Sequence, residues 1–177
     1  MQTEWKRILK WFWAWQDYRE EAWLESLACE RGLHLASVGP FGAYTFNVGS
    51  PQPMIYRLDY QYLKGQDEPG YLQLFEDAGW EHVDQMSNWH YFRRPEVAGE
   101  PREIFTDSAS KAAKYRRLIP FLVIVCVLLG AQLNSSLYDR YPSVALEAIQ
   151  LLLFCVFLLL VYSLIRIGLR IRELSKR

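Results

Sequence analysis

Two apolar stretches decide the fold of this chain: LIPFLVIVCVLLGAQL at residues 118–133 and VALEAIQLLLFCVFLLLVYSLIRI at residues 144–167. Crossing the hydrocarbon core of a bilayer takes roughly 20 helical residues. The second stretch reaches this length alone. The first reaches it when residues 115–117 extend its helix and their side chains reach toward the interface. The sequence therefore predicts a transmembrane hairpin of two helices at residues 118–168, inserted in the cell membrane.

Basic residues are concentrated at one end of this hairpin. Residues 134–143, between the two stretches, contain one acid, Asp139, and one base, Arg140. The bases at the other end are Lys111, Lys114, Arg116, Arg117, Arg166, Arg170, Arg172, Lys176 and Arg177. Because basic flanks stay in the cytoplasm, we expect a multi-pass protein with both termini cytoplasmic and a basic tail at residues 169–177. These bases are also expected to contact anionic headgroups of the lipid bilayer.

Residues 1–100 are predicted to form a cytoplasmic α+β domain, followed by a linker and juxtamembrane helix at residues 101–117. The elements come in the order strand, helix, strand, strand, and this order occurs twice. The first unit has a strand at residues 10–15, a helix from Asp17 to Gly32, and a hairpin of residues 33–38 and 43–48. The second has a strand at residues 54–62, a helix from about Asp67 to Gly79, and a hairpin of residues 80–86 and 89–94. Each glycine is the expected helix stop.

The pattern of each helix predicts which side chains face the core. The inward positions are Trp23, Leu24, Leu27 and Ala28 in the first helix, and Tyr71, Leu74, Phe75 and Ala78 in the second. Asp17 and Glu20 resemble a capping box. Glu20 is accordingly assigned to the helix start, where the helix dipole favours a carboxylate.

A single offset of 47 residues aligns the two units without gaps, so the domain is interpreted as an internal repeat. It pairs Ile8 with Ile55, Leu27 with Leu74, Gly32 with Gly79 and Tyr44 with Tyr91. Such a repeat predicts a two-layer α+β sandwich, with an antiparallel sheet and both helices on one face. The arrangement is similar to the twinned GyrI-like folds, which hold small molecules in the cleft between their halves.

Several short motifs occur together in a fixed order. They are WFWAW at residues 11–15, WL at 23–24, GLHL at 32–35, YTF at 44–46, YRLDY at 56–60, AGWE at 78–81 and WHYFR at 89–93. In these motifs the chain resembles the bacterial membrane proteins of domain-of-unknown-function family 2812, over roughly residues 5–117. Members are commonly encoded beside PadR-like transcriptional regulators. The resemblance implies a regulatory or stress-sensing role, and it transfers no catalytic residues.

Three tryptophans at alternate positions form the sharpest feature of the polar domain. In a strand, Trp11, Trp13 and Trp15 share one face. This face has three interpretations: core beneath the helices, the wall of a pocket for a small apolar or cationic ligand, or a surface resting on the membrane interface.

Arg57, Asp59 and His90 complete the predicted ligand-binding or partner-binding set. Arg57 and Asp59 point to the same strand face, as the polar floor of a cleft or as a solvated ion pair. Pairing across the tip of the second hairpin places His82 opposite Arg93. The two histidines His82 and His90 then face opposite sides of the sheet and cannot share a metal. No metal site, cofactor or catalytic residue is predicted.

The remaining features restrict the class of function. Acidic and basic residues number 20 each, so the net charge is zero and no nucleic-acid footprint is indicated. The favoured hypothesis is a membrane-anchored cytoplasmic sensor or regulatory protein without catalytic activity, with a protein partner or a small apolar ligand. The alternative is an accessory subunit of a membrane transport complex, and a homo-oligomer is left open. Convergence of Arg57, Asp59 and His90 in one pocket would instead favour an enzyme acting at the bilayer surface.

Overall fold

The computed structural model of the chain describes residues 4–63, 65–100, 102, 108–133 and 144–175. The chain divides into two compact units, Met1–Thr106 and Asp107–Arg177. In the first unit the order strand, helix, strand, strand occurs twice, as predicted. The first half contains β1 (Trp5–Leu9), α1 (Asp17–Arg31), β2 (Leu33–Gly39) and β3 (Ala43–Val48). The second half contains β4 (Met54–Tyr60), α2 (Glu68–Asp77), β5 (Glu81–Met86) and β6 (Trp89–Pro95).

The strands form two antiparallel sheets of three strands each, so the α+β class is confirmed. The orders are β1-β3-β2 and β4-β6-β5, with the last strand of each half at the centre. Each sheet also has a bulge at the equivalent place, between Leu35 and Ser37 in the first and between His82 and Asp84 in the second. These bulges are 47 residues apart. The gapless offset does not extend to the first strands, because β4 begins later and is longer than β1.

The strand predicted at residues 10–15 is wrong. The first strand is β1, which pairs with β3 from Trp5 opposite Asn47 to Leu9 opposite Ala43. β3 begins at Ala43, directly after the turn Pro40–Gly42, and the pairing ends where the Lys10 N–H donates to the Gly42 carbonyl oxygen at 2.8 Å. Residues 13–16 instead form a turn in which the Gln16 N–H donates to the Trp13 carbonyl oxygen at 2.7 Å. Tryptophans at alternate positions therefore indicate a strand only where a partner strand is present to pair with it.

Both helices begin and end close to the predicted positions, and their glycine stops are confirmed in part. Gly32 adopts a left-handed backbone with φ +63° directly after α1. Gly79, with φ +80°, lies two residues after the end of α2. Only glycine adopts such a conformation without steric strain.

The core of the first unit lies between α1 and the two sheets. Leu24, Leu27 and Ala28 of α1 pack against Phe46 of the first sheet and Tyr56 of the second. A smaller cluster on the other face of the second sheet is formed by Ile55, Phe75, Trp80 and Phe92. Because it is covered on both sides, β4 is buried at all seven positions.

Two of the residues predicted to face inward from α2 are exposed. Leu74 is 67 % exposed, and Ala78 is also exposed. The helix is only 10 residues long, and it contacts its sheet through Tyr71, Leu72 and Phe75. The 3.6-residue period identifies the apolar face of a helix, but it does not give the width of the stripe that is buried. Leu74 and Ala78 lie at the edge of the predicted stripe, and this edge is in solvent.

Helix α1 is bonded to the second half as well as to its own sheet. The N–H groups of Tyr56 and Leu58, on the free edge of β4, donate to the carboxylates of Glu25 at 3.4 Å and Glu21 at 2.9 Å. Beyond the helix, Gly49 N–H donates to the Gly32 carbonyl oxygen and Gln52 N–H to that of Ala28. An exposed strand edge invites unwanted pairing, and here α1 covers it.

The second unit contains α3 (Ser108–Leu133) and α4 (Val144–Ser175), which contact each other. Within them, Ala113–Leu133 and Val144–Glu173 are long and apolar enough to cross a membrane, with mean hydropathies of 1.8 and 2.7. The predicted two-helix apolar hairpin is therefore confirmed, and it indicates membrane association. The connecting residues 134–143 lie outside the described part of the chain.

Candidate functional site

A cavity of about 220 Å³ lies between the two halves of the first unit. The first half contributes Trp11, Phe12, Trp13, Ala14, Asp17, Glu20, Phe41, Gly42 and Tyr44, and the second contributes Leu58, Met86, Trp89 and Tyr91. Aromatic side chains therefore dominate a wall that also contains two carboxyl groups. Phe41, at the turn between β2 and β3, is 85 % exposed at the rim.

The aromatic wall is held in place by the segment that follows β1. The Trp11 and Trp13 rings meet edge to face at 5.8 Å, and the Trp13 ring stacks on that of Trp15 at 5.3 Å. Gly42 makes this approach possible, because a Cβ at Gly42 would lie 2.1 Å from the Lys10 carbonyl oxygen. Glycine is thus required where the turn meets the end of β1.

Glu20 forms the polar floor of the cavity. Its side chain is only 6 % exposed, and its Oε1 accepts hydrogen bonds from the hydroxyls of Tyr44 and Tyr91, both at 2.7 Å. These tyrosines come from β3 and β6, so each half supplies one donor. They are also the pair matched by the 47-residue offset.

Burial dominates the electrostatics of this floor. It raises the pKa of Glu20, and the nearby charge of Asp17 raises this pKa further, whereas the two tyrosine hydrogen bonds act in the opposite direction. Burial and the Glu20 charge also raise the pKa values of Tyr44 and Tyr91, so both hydroxyls remain protonated donors. Within the described part of the chain, no Lys, Arg or His forms an ion pair with Glu20.

The sequence interpretation of Glu20 as part of a capping box is wrong. The N-cap residue is Gln16, which makes no capping hydrogen bond through its side chain, and both Asp17 and Glu20 are buried. A signal was nevertheless present. Glu20 stands four residues before Leu24 and seven before Leu27, which places its carboxylate on the buried stripe of the helix.

The three predicted tryptophans separate into different environments. Trp11, which is 58 % exposed, and Trp13 line the cavity. Trp15 is buried and lies behind Trp13. The structure therefore places two of the three on a pocket wall. Their binding of a ligand stays a prediction.

Arg57, Asp59 and His90 do not line this cavity, and of the three only Asp59 and His90 are shown together, opposite each other on β4 and β6 and both against Tyr71. All three are buried. Arg57 contacts α1, where its guanidinium lies 2.7 Å from a Glu25 oxygen. Asp59 accepts a hydrogen bond from the Tyr71 hydroxyl of α2 at 2.9 Å. Arg57 and Asp59 are not a solvated ion pair, because both are buried, and they do not form the floor of this cavity.

The expectation that His82 and His90 face opposite sides of the sheet is wrong. His82 lies opposite Phe92, not Arg93, because the bulge after His82 inserts one extra residue into β5. Such an insertion moves the side chains beyond it to the other face. His90 Nδ1 consequently lies 3.4 Å from His82 Nε2. Among the described residues, no group of three or more His, Cys, Asp or Glu could hold a metal ion.

This histidine pair predicts a pH-dependent stability. Burial lowers the pKa of both imidazoles, and for His90 the neighbouring His82 lowers it further; Asp84, Asp59, Glu68 and Glu76 oppose these effects. The unfolded chain therefore takes up protons below pH 6.5 while the folded chain resists. We expect stability to fall as the pH drops from about 6.5 toward the folded-state pKa values.

The measurement is urea unfolding of the full-length protein in detergent at pH 7.5, 6.5 and 5.5. The double substitution His82→Gln and His90→Gln should flatten the loss of stability on acidification relative to the wild-type protein. Equal slopes for the double variant and the wild-type protein would contradict the prediction.

In architecture, the chain is a duplicated α+β domain that is followed by two apolar helices of membrane-spanning length. It belongs to the family described as Protein of unknown function (DUF2812), whose model matches residues 16–128. This match confirms the family inferred from the motifs, and it extends from the start of α1 into α3. Neither the curated proteins nor the solved structures that were compared include a match to the chain.

Proposed function

We propose that this protein is a membrane-anchored sensor whose cytoplasmic domain binds a small molecule in the cavity between its two halves. The observation that carries the proposal is the floor of that cavity, where tyrosines from both halves donate to one buried carboxylate. The same chain carries two helices suited to crossing a membrane. The proposed activity is to bind a small molecule and to signal that it is bound, without catalysis.

The cavity has the features of a binding site and not those of a packing defect. Packing defects are lined by apolar side chains and lie in the core, whereas this cavity contains carboxyl groups and an exposed rim at Trp11 and Phe41. A buried carboxyl group destabilises a folded protein unless it is compensated. Costly groups of this kind cluster at functional sites.

The proposed topology has both chain termini in the cytoplasm. It is supported by the basic residues before the first apolar helix and after the second, since such flanks are retained on the cytoplasmic side. The ligand cavity would then sample the cytoplasm. An accessory subunit remains the alternative, and a cavity of about 490 Å³ beside Glu147 and Gln150 of α4 would favour a partner helix there.

The experiment is a panel of neutral and charged small molecules added to the full-length protein in nanodiscs. Binding is read from the unfolding temperature and from tryptophan emission, because Trp11, Trp13 and Trp89 line the cavity. Ala14→Trp should fill the cavity and abolish the responses. Leu74→Trp, at an exposed position of α2, should preserve them. The sensor proposal fails when no compound in the panel alters either signal.

A further inference from the structure

We propose that the ligand of this cavity is a small organic cation bearing an aromatic or bulky apolar group, with the Glu20 carboxylate as its counter-ion. The inference rests on the proposed function, which leaves the ligand undefined. It assigns a charge and a size class to that ligand, and it assigns to Glu20 the role of counter-ion.

The first argument is the carboxylate at the cavity floor, which has no cationic partner among the described residues. Both tyrosine hydroxyls donate to Oε1 of Glu20, and within the described chain no side chain donates to Oε2. Asp17 lines the same cavity and adds a second carboxyl group. A bound anion would be repelled by this floor, and a neutral ligand would leave its charge unpaired. A cation supplies the missing partner.

The second argument is the chemistry of the wall. The faces of tryptophan, tyrosine and phenylalanine attract cations, and most strongly where water is excluded. Trp11, Phe12, Trp13 and Trp89 line the cavity above the Glu20 carboxylate. The chain already uses such contacts nearby, because the Lys10 ammonium group lies 4.6 Å from the ring centroid of Trp23 and 5.2 Å from that of Phe12.

The third argument is size. Pockets for drug-sized ligands have volumes of roughly 300–1,000 Å³, and this cavity measures about 220 Å³. The ligand is therefore smaller than a typical drug. A quaternary ammonium group on a single aromatic ring matches the volume, the walls and the floor together.

Binding of such a cation is linked to the ionisation of Glu20. The pKa of Glu20 lies above its ordinary value of 4.5, mainly because of burial. A cation prefers the ionised carboxylate, so its affinity should rise as the pH increases through the pKa of Glu20 and then become constant. A neutral ligand of the same shape should show no such rise.

The test compares phenyltrimethylammonium with tert-butylbenzene, its neutral isostere, on the full-length protein in detergent. The dissociation constants are measured by quenching of tryptophan fluorescence. We expect the wild-type protein to bind the cation at least about tenfold more tightly, from the ion pair and the cation–π contacts together. Glu20→Gln should remove most of this preference.

Glu20→Gln is also its own folding control. The raised pKa of Glu20 means that folding disfavours the ionised form relative to the unfolded chain, even with both tyrosine hydrogen bonds in place. A neutral amide, which still offers an oxygen to Tyr44 and Tyr91, should therefore leave the protein at least as stable at pH 7 as the wild type. Lost binding in this variant cannot then be attributed to unfolding.

The outcomes separate this inference from the proposed function. Equal affinity for the two probes, or a preference that survives Glu20→Gln, overturns the cation assignment and leaves the sensor intact. The same holds when neither probe binds but other compounds of the panel do. When the two probes and the whole panel fail, both proposals are overturned.

Discussion

Replacing Gly32 with alanine is expected to lower the free energy of unfolding by about 3 kcal/mol or more. The backbone of Gly32 has φ +63°, which already strains any residue with a side chain by about 1 kcal/mol. The added Cβ would also lie 2.1 Å from the Gly49 carbonyl oxygen and 3.0 Å from the backbone nitrogen of Pro51. Because both neighbours are backbone atoms, the clash can be relieved only by moving the linker between the two halves.

Gly79, the repeat equivalent of Gly32, is the matched control. Its φ of +80° is similarly left-handed, but a Cβ there would meet nothing within 4 Å. Gly79→Ala should therefore lose about 1 kcal/mol, from backbone strain alone. Urea unfolding followed by tryptophan fluorescence measures both variants. A loss for Gly32→Ala no larger than that for Gly79→Ala would refute the steric argument.

Arg57→Met is expected to lower the free energy of unfolding by about 3 kcal/mol, because it removes the buried cation that lies against two largely buried carboxylates. The Arg57 guanidinium lies 2.7 Å from Glu25 and 3.8 Å from Glu21, and all three side chains are largely buried. Methionine approximates the length of the arginine stem, so the loss would report the charge and not a void.

Arg102→Met tests the same carboxylate from the solvent side. Arg102 also contacts Glu25 at 2.7 Å, but its side chain is half exposed. Exposed ion pairs contribute less than about 1 kcal/mol, so this control should be nearly neutral in an unfolding experiment. Similar losses for the two variants would mean that burial does not set the strength of these pairs.

Local sequence signals predicted much of the fold. Gly32 and Gly79 marked the helix ends, and the turns after Val38 and Met86 placed both hairpins, because these signals depend on a few neighbouring residues. The strand assigned to the tryptophan segment failed because a strand also needs a partner, and the partner's end at Ala43 is a tertiary fact. The division of the strands into two sheets could not be predicted from the sequence either, because it also depends on which strands pair.

The candidate site was only partly accessible to sequence reasoning. Trp11 and Trp13 were conspicuous because tryptophan is rare and their spacing is regular. Glu20 was missed because a carboxylate in a first helical turn usually serves the helix dipole, and only the stripe it shares with Leu24 and Leu27 indicated burial. The contact between His82 and His90 depends on the bulge in β5, which no pattern of residues predicted.

The bonds from α1 to the second half determine how a ligand can enter. Lobes that close by hinge bending need a linker with few contacts, but here Gly49 and Gln52 of the linker are bonded to the end of α1. These hydrogen bonds hold the linker between the two halves against the end of α1. We expect a ligand to enter beside the exposed side chains of Trp11 and Phe41, past the loop at residues 11–15. Ligand exchange should then proceed on the nanosecond-to-microsecond timescale of a loop, and not at the slower pace of domain closure.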